Sequence, residues 1–147
     1  MFSPQPALGP ARAHLFANAY RQVGVQTAVT QASPHHLVSL LFDGCLEALV
    51  QARGAMRAGQ VEAKGKAIGR AARIVDEGLR AALDLRDGGE LAADLHALYG
   101  YLTMRLTQAN LRNDGAALDE CERLLVPLRD AWRAIAPRAG SAGATDR

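Results

Sequence analysis

Apolar residues recur at helical spacing through most of this chain, and the densest pattern starts abruptly after Ser33-Pro34. Leu37, Leu40, Leu41, Cys45, Ala48, Leu49, Ala52 and Met56 follow one another at three- and four-residue steps. That spacing predicts a helix over residues 34–58. Ser33 can cap its free backbone N–H groups, and Pro34 falls at the first helical position, where a missing N–H costs nothing. Gly59 follows, suited to the left-handed position that ends a helix. A second apolar row, Val38, Phe42, Leu46 and Val50, runs through the same segment at four-residue steps. A helix on the outside of a small bundle needs one stripe. Two stripes mean either deep burial or a face kept for a partner.

Three further helices follow from the same pattern. Val61, Ile68, Ala71, Ala72, Val75, Leu79 and Ala82 predict one over residues 60–85. Gly65, Gly69 and Gly78 interrupt its propensity, each by about 0.8–1.0 kcal/mol relative to Ala. They either let neighbouring helices approach closely or soften the helix for a ligand. After the Asp87-Gly88-Gly89 turn, Leu91, Leu95, Leu98, Leu102, Leu106 and Ala109 predict a helix over residues 90–112, with Tyr99 beside the stripe. Asn113-Asp114-Gly115 is a second turn, Asp114 being its N-cap candidate. Leu118, Cys121, Leu125, Leu128, Trp132 and Ile135 carry the last helix to about Ala136. Pro127 lies inside it and predicts a kink, because it removes one backbone hydrogen bond. A weakly patterned element over residues 14–22 precedes them all. Short connections between long amphipathic helices predict an all-α, antiparallel up-down four-helix bundle with a short extra N-terminal helix or cap. Residues 1–12 read as a disordered lead, 13–136 as the bundle and 137–147 as a disordered tail.

Composition narrows the function classes. The chain has 147 residues, 49% hydrophobic but only 5% aromatic, enough for one helical core. Net charge is +2, with arginines interleaved among acids, so no basic stripe suggests nucleic acid. Cys45 and Cys121 fall within apolar helical rows and read as small buried hydrophobes. No apolar run has the roughly 20 residues that a membrane crossing needs, and residues 1–10 have no signal-peptide pattern. A cytosolic, reduced protein is expected. His14, His35, His36 and His96 form no metal-binding spacing, and no nucleophile, P-loop or acid–base pair converges. The sequence therefore predicts no enzyme, no cofactor and no metal.

With the helices placed, the chain resembles the FliS family of export chaperones for flagellin. The leader ANAYRQVGVQTA followed by ASPHHLVSLLFDG is similar to that family's opening block. LDLRDGGELAADLHALYGYLTMRLTQANLRND is similar to its third-helix block, and LDECERLLVPLRDAW to its closing helix. A longer N-terminal lead, the Val29-Thr30-Gln31 stretch and Pro127 depart from the pattern.

The resemblance implies a cytoplasmic chaperone that wraps the disordered C-terminal segment of flagellin, prevents premature polymerisation and keeps it ready for type III export. It implies a second contact with a component of the flagellar export gate. Val38, Phe42, Leu46 and Val50 are then expected to line the client groove, together with Tyr99, Leu102 and Leu106. Tyr20, Val23 and Val25 are expected to form a mobile cap over it. The free chain is expected to be a monomer or weak homodimer. A histidine phosphotransfer module is the alternative for a bundle of this size, but it needs an exposed mid-helix histidine.

Overall fold

The computed structural model describes the backbone of residues 33–145 and the side chains of residues 33–135. It is all-helical over that range. Helix α1 spans Pro34–Arg57, α2 spans Val61–Arg73, α3 spans Gly89–Arg112 and α4 spans Gly115–Thr145. A π-helical segment, Ile74–Arg80, continues α2 without a break. The lead over residues 1–12, the short N-terminal element and the cap residues Tyr20, Val23 and Val25 all lie outside the described residues.

Local chemistry sets the ends of these helices. The Ser33 hydroxyl accepts from the His36 N–H at 3.1 Å, and Pro34 opens the first turn. Gly59 takes φ +70°, a conformation that glycine reaches without a Cβ penalty. Around it the Gln60 N–H donates to the Ala55 carbonyl and the Gly59 N–H to that of Met56, so the last carbonyls of α1 are satisfied. Asn113, at φ 54°, turns the chain out of α3. The Asp114 carboxylate then accepts from the Ala116 and Ala117 N–H groups and caps α4.

Contacts run around a square: α1 packs on α2 and α4, and α3 packs on α2 and α4. Each neighbouring pair is antiparallel. His35, at the start of α1, meets Trp132, late in α4, whereas Arg53 pairs with Asp119 and Glu122 near the start of α4. Lys64, early in α2, reaches Asn110 and Asn113 at the end of α3. One end of the bundle therefore gathers Ser33, the 81–88 connection and Trp132; the other gathers Gly59 and Asn113. A single core cluster runs between them, centred on Leu41, Leu49, Ile74, Leu102, Leu106, Leu118 and Leu125.

Two expectations change. The second helix stops being α-helical at Ile74 and ends at Arg80, short of residue 85. Among its glycines, Gly78 is the close-approach position: an added Cβ would lie 2.9 Å from Leu41 Cδ1. Gly69 faces open space and Gly65 has only the Asn110 side chain at 4.0 Å. The last helix, expected to end near Ala136, is helical to Thr145 and passes through Pro127. Pro127 is exposed, so the carbonyl that it leaves unpaired can bond to water.

Candidate partner-binding site

The residues expected to line a groove occupy different layers. Phe42 is 3% exposed, and Val38, Leu46 and Tyr99 are likewise buried. Leu102 and Leu106 are fully buried. All six belong to the core cluster, so none of them presents an open surface in this structure. Only Val50 is exposed, at 57%. The reason is helical geometry. Four residues turn an α-helix by about 400°, so a row at four-residue steps drifts about 40° per step. Val38 therefore starts at the core, Phe42 and Leu46 swing toward one side, and Val50 emerges into solvent.

Part of the apolar surface that is left incompletely covered lies along the α3–α4 contact. At mid-height that contact is closed by polar groups. Glu120 accepts the Tyr101 hydroxyl at 2.5 Å and the Arg105 Nε–H at 2.8 Å, and Arg105 also donates to Gln108. The Tyr101 and Arg105 donors hold the Glu120 carboxyl below its ordinary value. Toward the Ser33 end, antiparallel register brings Leu124 level with Leu98, and Leu128 level with Leu95. These four are only partly buried against the core. Beyond them Leu91 is 68% exposed and Ile135 is 40% exposed. In the stripe predicted for this helix, Leu102 and Leu106 are buried, and its first turns open into a seam. Sequence reasoning missed the seam because its leucines share the period of the core stripe, and only their place at the bundle end leaves them uncovered.

Beside this seam a clasp joins the first helix to the last. His35 Nε2 donates to the Trp132 carbonyl, Trp132 Nε1 donates to the His35 carbonyl, and both distances are 2.9 Å. The rings stack with centroids 4.4 Å apart. Burial lowers the His35 pKa, opposed by the bond to Trp132. His35 was expected to be a solvent-exposed polar residue; it is half-buried because α4 carries Trp132 over it.

A cleft of about 640 Å³ at the same end is lined by Asp76, Arg80, Asp84, Arg86 and His96. Its polar groups are occupied with one another. Arg80 donates to Asp76 and to His96 Nε2, and Asp84 accepts the Arg86 and Asp87 N–H groups. Among the described residues no group of acidic, histidine and cysteine side chains could hold a metal ion. Both cysteines are free and buried, with burial pushing the Cys45 thiol up to about 12 and Cys121 to about 11. No described helix is long and apolar enough to cross a membrane.

A four-helix bundle with an apolar seam of this kind at one end has a surface suited to an apolar helical segment. Residues 16–139 match the family model described as Flagellar protein FliS. The chain is 51% identical over 121 residues to the flagellar secretion chaperone FliS of Salmonella typhimurium, covering 82% of this chain and 90% of that protein. It is 47% identical over 116 residues to the flagellar secretion chaperone FliSB of Pseudomonas aeruginosa, covering 79% and 91%. The Escherichia coli FliS is 46% identical over 115 residues, covering 78% and 85%. The chain belongs to the FliS family of flagellar secretion chaperones, which are not enzymes. The phosphotransfer alternative is not favoured: His35 is locked to Trp132, and His96 accepts from Arg80.

Proposed function

We propose that this chaperone binds the disordered C-terminal segment of flagellin, blocks its premature polymerisation and keeps it competent for type III export. One observation carries the reading: the apolar α3–α4 seam at the Ser33 end, from Leu98 and Leu124 out to Leu91 and Ile135, is incompletely covered. A client segment in partly helical form would lay its apolar face there and so lose the surface through which it self-assembles. The flagellar secretion role of the relatives supports the choice of client.

The segment carrying Tyr20, Val23 and Val25 enters α1 at this same end. We propose it as the cap of the empty seam, displaced when the client arrives. Tyr20 is then the mark of the loaded state for a component of the export gate. Calorimetric titration of the full chain with a flagellin C-terminal segment tests the reading. Leu91→Glu combined with Ile135→Glu should weaken binding at least tenfold while leaving the melting temperature unchanged, since both positions face solvent. Undiminished binding by that variant would overturn it. Deleting residues 1–25 should leave affinity unchanged or raise it; a loss would mean that the segment clamps the client.

A further inference from the structure

An arginine side chain donates hydrogen bonds and never accepts them. Arg80 Nε lies 3.1 Å from His96 Nε2, so that imidazole nitrogen carries a lone pair, and His96 is neutral wherever this bond exists. Its ring proton is then on Nδ1. The same guanidinium donates through Nη1 to Asp76 at 3.0 Å, and its Nη2 lies 3.5 Å from where a Cβ on Gly100 would stand. Arg80 therefore lies along α3 from His96 to Gly100, one turn further on. It is the last residue of the π-helical segment, so the bond ties the end of that segment to the first turns of α3.

The surroundings of His96 decide what a proton does there. On α3 the residues one turn away are Ala92, Ala93, Tyr99 and Gly100, and burial keeps the Tyr99 phenol protonated. The π-helical segment brings Asp76 and Arg80 to the cleft, and the connection brings Asp84, Arg86 and Asp87. Helix α4 packs on the other side of α3, where Tyr101 and Arg105 meet Glu120. A proton on His96 Nε2 removes the lone pair that Arg80 uses and sets two cations against each other at hydrogen-bond distance. Three carboxylates line the same cleft and can accept from the imidazolium. Arg80 keeps Asp76, on its own segment, and loses its hold on α3.

We propose that His96 and Arg80 form a proton-operated latch between the π-helical segment and α3, closed while His96 is neutral and open once it is protonated. Opening frees the first turns of α3, residues 89–100. Leu91, Leu95 and Leu98 on those turns wall the seam, so the latch regulates client binding from the opposite side of the helix. That last step rests on the flagellin reading of the seam; the latch itself does not.

NMR of the full chain between about pH 8 and 5, the range in which histidine changes charge, tests this. A His35→Gln background removes the response of the clasp. The Arg80 Nε–H signal should move to its solvent-exposed position in step with the His96 ring titration, and amide protection over residues 92–100 should fall. His96→Gln can accept from Arg80 through its amide oxygen but takes up no proton, so it should keep both signals constant. An Arg80 signal that ignores the His96 titration would overturn the latch, as would the same acid response in His96→Gln. Calorimetry with the flagellin C-terminal segment reads the link to the seam: affinity should fall about fivefold on acidification, and His96→Gln should abolish that fall. Equal pH dependence in the two chains would break the link. A segment that fails to bind at any pH would overturn the seam reading instead, while the NMR signals still decide the latch.

Discussion

Lys64 is the one charged side chain buried among the described residues, and its surroundings explain why. Its ammonium donates to the Asn110 carbonyl at 3.1 Å and to Asn113 Oδ1 at 2.7 Å. These acceptors close the C-terminus of α3, where a positive charge also meets the negative end of the helix dipole. Lys64→Met should therefore destabilise the fold by about 1.5–3 kcal/mol, the worth of hydrogen bonds to a charged group. Urea unfolding checks this; an unchanged midpoint would show the lysine to be dispensable. His35 gives a pH-dependent counterpart. Its folded pKa lies below the ordinary 6.5. The unfolded chain thus binds its proton more readily, and stability is lost as pH falls from about 6.5 toward the folded value. Between pH 7 and 5 the wild type should lose more melting temperature than His35→Gln. Trp132, the only tryptophan, reports the same clasp by its fluorescence.

At the scale of elements, the helix ends set by capping residues were legible in the sequence, the C-terminal ends of the second and last helices were not, and helix faces were less so. Ser33-Pro34, Gly59, Asn113 and Asp114 act through their own backbone and cap geometry, so local chemistry was enough to find them. The row Val38, Phe42, Leu46 and Val50 was read as one face, yet it crosses from core to solvent because four-residue steps drift around a helix. Which part of a drifting row is buried depends on where the neighbouring helix lies, and that is tertiary information. Phe42→Asp should consequently unfold the protein as Leu49→Asp does, since each buries an unpaired charge. Val50→Ala should change stability by no more than about 0.5 kcal/mol. The π-helical turn at Ile74–Arg80 has no sequence signature of its own. Gly78 within it is required by packing: Gly78→Ala should cost about 1–3 kcal/mol, because fully buried Leu41 would have to move. A thermal melt equal to that of the wild type would show that Leu41 yields freely.

At the scale of the whole molecule, the bundle divides its labour between its ends. The Gly59–Asn113 end is closed by Lys64 and by the Arg53 pairs with Asp119 and Glu122. The Ser33 end carries the clasp, the entry of the N-terminal segment and the open α3–α4 seam. The bundle architecture was legible because amphipathic period and short connections leave few arrangements. The seam was not, because Leu91, Leu95 and Leu98 look like core in sequence and differ only in what fails to cover them. The proposal that this seam holds the flagellin segment is tested most directly by methyl NMR of the full chain during titration with that segment. Methyl signals of Leu91, Leu95, Leu98, Leu124, Leu128 and Ile135 should shift together and saturate, with those of Val61 and Leu111 unmoved. Shifts confined to Val61 and Leu111, with the seam signals unchanged, would contradict the account.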